Sequence, residues 1–465
     1  MMADTYLDFL NRKRISDPAT GFDIVPRLPD YLKPHQRDIV SWALRRGRAA
    51  VFAGTGLGKT LIELIWASEV ARHTGKPVLC FAPLAVSTQH IREAEKFGLH
   101  AELARAQSDV HNGAFITNYQ KIDHFDLASF GGVVLDESSI LKSTDGHYRN
   151  LLIEECAGVP FRLAATATPA PNDFMELGNH AEFLGVMSYT DMLATFFTHD
   201  GGETQKWRLK GHAENEFWKW MASWSVMIRK PSDLGYPDDG YDLPPLAHHQ
   251  HTVGVKYAPS IDTGLLFPMA ARSLSERISA RRDTIDERVA MAAAITPHDR
   301  PFVWWCNLNA ESEALARAIH GSVETKGSDP DDVKEGKLTA FSEGRTRVLI
   351  TKPSVAGFGM NWQHCADTGF VGLNDSFEQI YQATRRFWRF GQVKPVTVHF
   401  IAAETEGAVV ANLKRKEADA ERMAASMIMH MADLSSEIVR GAVRDRPDYA
   451  PTQQVKIPSW MENTA

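Results

Sequence analysis

Residues Ala53-Gly54-Thr55-Gly56-Leu57-Gly58-Lys59-Thr60 constrain this chain more than any other stretch. They follow the apolar run Ala49-Ala50-Val51-Phe52 and lead into Leu61-Ile62-Glu63-Leu64-Ile65-Trp66-Ala67, which reads as a buried helix. A strand, a glycine-rich turn, Lys-Thr and a helix in that order make a phosphate-cradling loop. The glycines let backbone N–H groups close around phosphate oxygens, and the helix N-terminus adds the positive end of its dipole. Lys59 would reach the β/γ-phosphates of a nucleotide, and the Thr60 hydroxyl would coordinate Mg²⁺. Ala53 stands where the strict pattern has its first glycine.

At 465 residues the chain is too long for one ordinary core, so two or three domains are expected. No apolar run approaches the length needed to span a bilayer, and the first residues carry no signal-peptide pattern, so a cytoplasmic protein without a membrane partner is expected. Cys80, Cys156, Cys306 and Cys365 are far apart and show no zinc or redox spacing, which predicts reduced core thiols. The formal net charge of −7 argues against a surface coated in nucleic acid, while a locally basic cleft remains compatible with it.

In chain order, a polar leader (1–28) precedes Leu32-Lys33-Pro34-His35-Gln36 and a helical pattern through Leu44. A glutamine here can read adenine through its amide donor and acceptor, or face solvent at a helix start. Buried strands follow at Pro77 to Ala82, Ala114 to Thr117, Gly132 to Glu137 and Phe161 to Ala165, alternating with helices. That alternation predicts a parallel α/β sheet, whose ligands bind where strands end. Asp136-Glu137 closes one such strand; Asp136 can hold Mg²⁺ and Glu137 can orient or deprotonate an attacking water. Trp207, Trp218, Trp220 and Trp224 could stack on bases, though their spacing equally fits an apolar helix face. His248-His249-Gln250-His251 has no carboxylate or cysteine at ligand spacing, so a loop or strand edge without metal is expected there.

A helix from Arg272 to Ala294 carries mixed charge, including Arg272, Arg277 and Arg281. A second α/β series then runs through strands at Phe302 to Cys306, Arg347 to Thr351, Gly369 to Leu373 and Val396 to Ala402, with no phosphate loop of its own. Ser376 and Gln379 form a capping-box pattern, and a helix from there would put Gln382, Arg386 and Arg389 on one face. Guanidinium groups projecting from a domain without a nucleotide loop suit action on a neighbouring domain's phosphates. A last helix runs from Glu406 to about His430, with Lys414, Arg415 and Lys416 near its start, and could brace the domains or touch backbone phosphates. Arg444 to Ala465 reads as a loose tail that could dock through Trp460.

The ordered set resembles the superfamily-two helicase-like ATPases, and most closely their Swi/Snf-type branch in a compact bacteriophage or prophage form. The matching residues are Leu32 to Gln36, Ala53 to Thr60, Phe81-Ala82-Pro83-Leu84, Ile116-Thr117-Asn118-Tyr119, and Asp136-Glu137-Ser138-Ser139 with Lys142. They continue with Thr166-Ala167-Thr168-Pro169 and Asn172, Gly357-Phe358-Gly359-Met360-Asn361, and Gln382 to Gln392.

The resemblance implies two tandem RecA-like parallel-sheet domains (29–230 and 276–405) joined by a linker (231–275), with an ATP cleft between them and a C-terminal helix and tail (406–465). It implies a DNA-stimulated ATPase that translocates on double-stranded DNA. The alternatives are an ATP-switched nucleic-acid scaffold without net movement, or an RNA helicase. Gln36 would contact adenine, the Ala53–Thr60 loop phosphate, and Thr60 with Asp136 the Mg²⁺. Lys59, Asp136, Glu137, Gln382, Arg386 and Arg389 would be catalytic, the last two as arginine fingers. Gly357 and Gly359 would flank the nucleotide, and Pro83, Leu84, Thr117, Asn118, Thr351 and Asn361 the nucleic-acid path. The sequence departs from the branch at Ser139, where histidine is common, and at Arg385, where an acid is usual.

Overall fold

A strand that is apolar on both faces must be covered on both, and this chain contains two sets of such strands, each built into its own parallel sheet. The computed structural model describes residues 19–83, 86–142, 146–171, 173–199, 207–254, 282–357, 360–373 and 376–439. The first sheet has seven strands: β1 (Arg48–Ala53), β2 (Val78–Ala82), β3 (Ala101–Leu103), β4 (Ala114–Asn118), β5 (Gly132–Asp136), β6 (Phe161–Thr166) and β9 (Ser225–Ile228). Their order across the sheet is β3-β4-β2-β5-β6-β1-β9, and every pairing is parallel. A small antiparallel ribbon, β7 (Phe197–His199) with β8 (Trp207–Leu209), lies outside it. The second sheet has six parallel strands: β10 (Leu246–Val253), β11 (Phe302–Cys306), β12 (Ser322–Glu324), β13 (Val348–Thr351), β14 (Asp367–Val371) and β15 (Val396–Ala403), in the order β10-β15-β14-β11-β13-β12.

The helices that position the site are α1 (Pro34–Arg46), α2 (Lys59–Thr74), α3 (Ser87–Lys96), α4 (Glu214–Trp224), α5 (Ile285–Ile295), α6 (Asn309–Ala318), α7 (Asp331–Ser342), α8 (Phe377–Thr384) and α9 (Gly407–Val439). Proline at its first turn starts α1, and residues 20–22 stop it, as Thr20, Gly21 and Phe22 donate their N–H groups to the carbonyls of Arg46, Arg45 and Leu44. The described end of the leader is thus a cap on α1. Its first 18 residues, like Arg272, Arg277, Arg281, Asn172, Phe358 and the tail from Arg444 to Ala465, lie outside the described residues.

The segment 231–275 contains β10, which pairs with β15 along its whole length and so belongs to the second sheet. Of the loop and the strand edge expected at His248-His249-Gln250-His251, it is the strand edge that forms, with mostly exposed side chains. Trp218 and Trp224 are buried in the first sheet's core, so the tryptophan spacing serves packing. The helix α9 braces the two halves. Its first turns place Val409 and Leu413 in the second sheet's core, and further along Met427 and Met431 enter the first sheet's core. There His430 stacks on Trp218 at 5.4 Å with planes 2° apart.

The second sheet also buries an ion pair. Arg288 on α5 donates to Glu311 on α6 at 2.6 Å with both side chains fully buried, and Glu311 also accepts the Asn307 and Leu308 N–H groups at 2.9 Å. Replacing one partner leaves the other charge uncompensated in the interior. Arg288→Met should therefore lower unfolding stability by about 3–5 kcal/mol in a denaturant titration, and a loss below about 1 kcal/mol would show that the pair is not holding α5 to α6.

Candidate functional site

Because β1, β2, β4, β5 and β6 run parallel and in register, their C-terminal ends form one edge of the first sheet. That edge carries the Ala53–Thr60 loop, Thr117-Asn118, Asp136-Glu137 and Thr166. The loop has the backbone its glycines permit: Gly56 and Gly58 have φ of 94° and 82°, and Gly58 caps α2 in the left-handed region. Gly54 N–H donates to the Ile228 carbonyl at 2.8 Å, tying the loop to β9. Lys59 Nζ folds back onto the Ala53 carbonyl at 2.9 Å. Gln36 is buried, donating to the Leu57 carbonyl at 3.0 Å and accepting the Lys33 N–H at 3.1 Å. It therefore braces the loop from α1, and the solvent-facing alternative is excluded.

Beside the loop stands Asp136, fixed by the Tyr119 hydroxyl, which donates to its backbone carbonyl at 2.6 Å. Glu137 is the single non-glycine residue with positive φ among those described, at 56°, and its carboxylate accepts the Thr166 hydroxyl at 3.1 Å. Backbone held in so sparse a region persists only where the surroundings enforce it, which marks functional positions. Burial raises the pKa of Asp136 to about 6, with Glu63 adding to the rise and His90 and Lys59 opposing it. Burial also raises Glu137, against the pull of Lys59 and Arg386.

The second sheet meets this edge through α8 and the turns after it. Ser376 caps α8 as its spacing predicts, accepting the Gln379 N–H at 3.4 Å. The helix ends at Thr384, however, so Arg386 and Arg389 lie in turns rather than on a helical face. They converge even so: both donate to the Met360 carbonyl, at 3.3 and 3.5 Å. Arg386 is buried and also donates to the Gln382 carbonyl at 2.9 Å and side chain at 3.2 Å. Burial lowers its pKa to about 10 and neighbouring Arg389 adds to this, while Glu137 and Asp136 counteract both.

Further contacts cross the seam. Gln382 reaches the Thr168 hydroxyl at 3.5 Å, Lys142 pairs with Glu378, and Arg92 lies 3.8 Å from Glu335. The Phe390 backbone packs so tightly on Gly56 that a Cβ there would lie 2.6 Å from Phe390 Cβ. Next to the seam opens a cleft of about 1130 Å³. Pro83, Thr117, Asn118 and Asn361 line it together with Arg105 and Lys121. Thr117 Oγ1 and Asn118 Oδ1 are buried there with no hydrogen-bond partner among the described residues. Thr351 does not line the cleft: it is fully buried, and its hydroxyl turns to the Thr325 carbonyl at 3.4 Å. Gly357 ends a short turn of helix, Pro353–Ala356, while Leu84 and Gly359 lie outside the described residues.

Two residues escaped sequence reasoning, Glu63 on α2 and His90 on α3. His90 Nε2 lies 3.3 Å from Glu63 and 3.5 Å from Asp136, with ligand atoms of all three within 4.8 Å of one another. The signal was present in part, since one acid inside Leu61-Ile62-Glu63-Leu64-Ile65 demands a buried partner. Burial lowers the pKa of His90, but the Glu63 hydrogen bond and the Asp136 charge overcome it and raise it to about 9. A folded pKa above the ordinary 6.5 means that the charged form adds stability below that value, which fades as pH rises toward about 9. The stability gap between wild type and His90→Gln should accordingly narrow between about pH 6 and about pH 10 in urea unfolding. A gap that does not change with pH would count against a charged His90.

No family model matches the chain. Over 444 aligned residues it is 30% identical to protein p41 of Acyrthosiphon pisum secondary endosymbiont phage 1, an alignment spanning 80% of this chain and 93% of that protein. The shared stretch is nearly the whole of the phage protein. The chain belongs to the same family as that phage protein.

Proposed function

We propose that this chain is a motor on double-stranded DNA that hydrolyses ATP between two RecA-like domains. One observation carries the reading: Gln382, whose side chain holds the buried Arg386 guanidinium at 3.2 Å, reaches Thr168 of the first domain at 3.5 Å, which sets Arg386 at the seam facing Asp136 and Glu137. A site assembled from both domains makes hydrolysis depend on how they sit together, as a motor requires. The loop suits a triphosphate, since Gly56 and Gly58 give it the backbone of a phosphate cradle and the hydrogen bond that Lys59 makes among the described residues goes to an uncharged carbonyl. Thr60 and Asp136 would hold Mg²⁺, an ion that takes hard oxygen ligands.

ATP with Mg²⁺ supplies a phosphoanhydride whose terminal phosphoryl group transfers to water. Lys59 neutralises phosphate charge and Glu137, its basicity raised by burial, takes the proton from the water. Arg386 stands ready to offset charge that develops on the transferring group, with Gln382 fixing its guanidinium. The cleft beside the seam offers amide, hydroxyl and cationic groups from both domains, the equipment for a nucleic-acid backbone. No helix is long and apolar enough to cross a membrane among the described residues. The phage origin of the relative is compatible with a bacteriophage or prophage motor.

The test is ATP turnover measured in parallel with duplex DNA, single-stranded DNA and RNA. Duplex should stimulate most, Lys59→Ala should abolish turnover, and Arg386→Ala should cut it about a thousandfold while ATP still binds. Stronger stimulation by RNA would favour the RNA helicase, and turnover without triplex displacement the scaffold. Intact turnover in Arg386→Ala would refute the two-domain site.

A further inference from the structure

The helix α3 has two working faces. Ser87, Thr88, Gln89 and Arg92 line the cleft, and Arg92 reaches across it toward Glu335 on α7. From the opposite side His90, fully buried, reaches Asp136. Its Nδ1 faces the Val86 carbonyl at 3.2 Å, and a carbonyl can only accept, so this nitrogen carries a proton. The ring is thereby held to its own helix, with Nε2 aimed between the Glu63 and Asp136 carboxylates.

We propose that His90 is a positioning residue, which fixes the Asp136 carboxylate from a helix that forms the wall of the nucleic-acid cleft and so makes turnover answer to what occupies that cleft. The inference rests on the reading of the chain as a nucleic-acid-dependent ATPase. Two further features support it. Tyr119, whose hydroxyl holds the Asp136 backbone carbonyl, also lines the cleft, so the backbone and the carboxylate of Asp136 are each held from an element that a cleft ligand would touch. Burial lowers the pKa of Arg389, and the charge of Glu93, again on α3, opposes that. A histidine serving stability alone would need only Glu63. Here Glu63 keeps one buried oxygen, Oε1, without a partner among the described residues, while the imidazole is shared with Asp136.

The experiment compares wild type with His90→Gln for ATP turnover with and without saturating duplex DNA, for KM and duplex affinity, and for bound transition metal. His90→Gln should keep KM for ATP and the duplex Kd within about twofold while turnover on duplex falls about tenfold, so that the stimulation ratio collapses toward unity. Equal losses with and without duplex would mark His90 as structural and overturn the proposal. So would a stoichiometric metal present in wild type and lost from His90→Gln, because the cluster would then be a metal site. Glu63→Gln combined with His90→Gln keeps the buried net charge, covers the case in which the single variant does not fold, and should show the same collapsed ratio. Wild type that duplex does not stimulate at all would refute the functional reading itself, before any variant is compared, and the proposal with it.

Discussion

A guanidinium taken out of water is costly unless its charge and its donors are answered, and Arg386 sets the terms on which the two sheets can meet. Its donors go to the Gln382 and Met360 carbonyls and the Gln382 amide, none of which carries charge. No carboxylate among the described residues lies within ion-pair distance of it; its electrostatic support comes from Glu137 and Asp136 across the seam. Asp136 is buried and Glu137 partly so, and both are raised in pKa, so each side of the seam lowers the cost of the other. The charges are complementary and stop short of neutralising one another. A polyanion with its cation, inserted between them, would complete the set.

Around that seam the packing is unequal. Beside the close Gly56–Phe390 approach stand polar contacts, the Lys142–Glu378 pair and the Gln382–Thr168 hydrogen bond, and a polar interface is the kind that lets domains move. The α9 helix is different, seating apolar side chains in both cores and stacking His430 on Trp218. It joins the halves through apolar packing where the seam relies on a handful of contacts.

The sheets were legible wherever burial demanded apolar residues on both faces, as at Val78–Ala82 or Phe302–Cys306. They were harder to read at edges: nearly all-polar β10 could be read only as a loop or a strand edge, and β3 and β12 are three residues each. The Ala53–Thr60 loop and Asp136-Glu137 stood out because glycines and acids interrupt apolar strands, where only a site repays them. Arg386 and Arg389 were found by type and spacing, yet the helical geometry expected of them fails, since α8 stops at Thr384. His90 was hidden because Ser-Thr-Gln-His reads as the polar face of a surface helix; only the tertiary fold reveals that this face turns inward to Glu63.

The central claim is that one site is shared between the sheets. An ATP analogue with a photoreactive group on its terminal phosphate, cross-linked with Mg²⁺ and duplex DNA present, tests it most directly. Peptide mapping should recover label from the Ala53–Thr60 loop and from the Arg385–Gln392 segment alike. Label confined to the first segment, with none on the second sheet, would contradict the account.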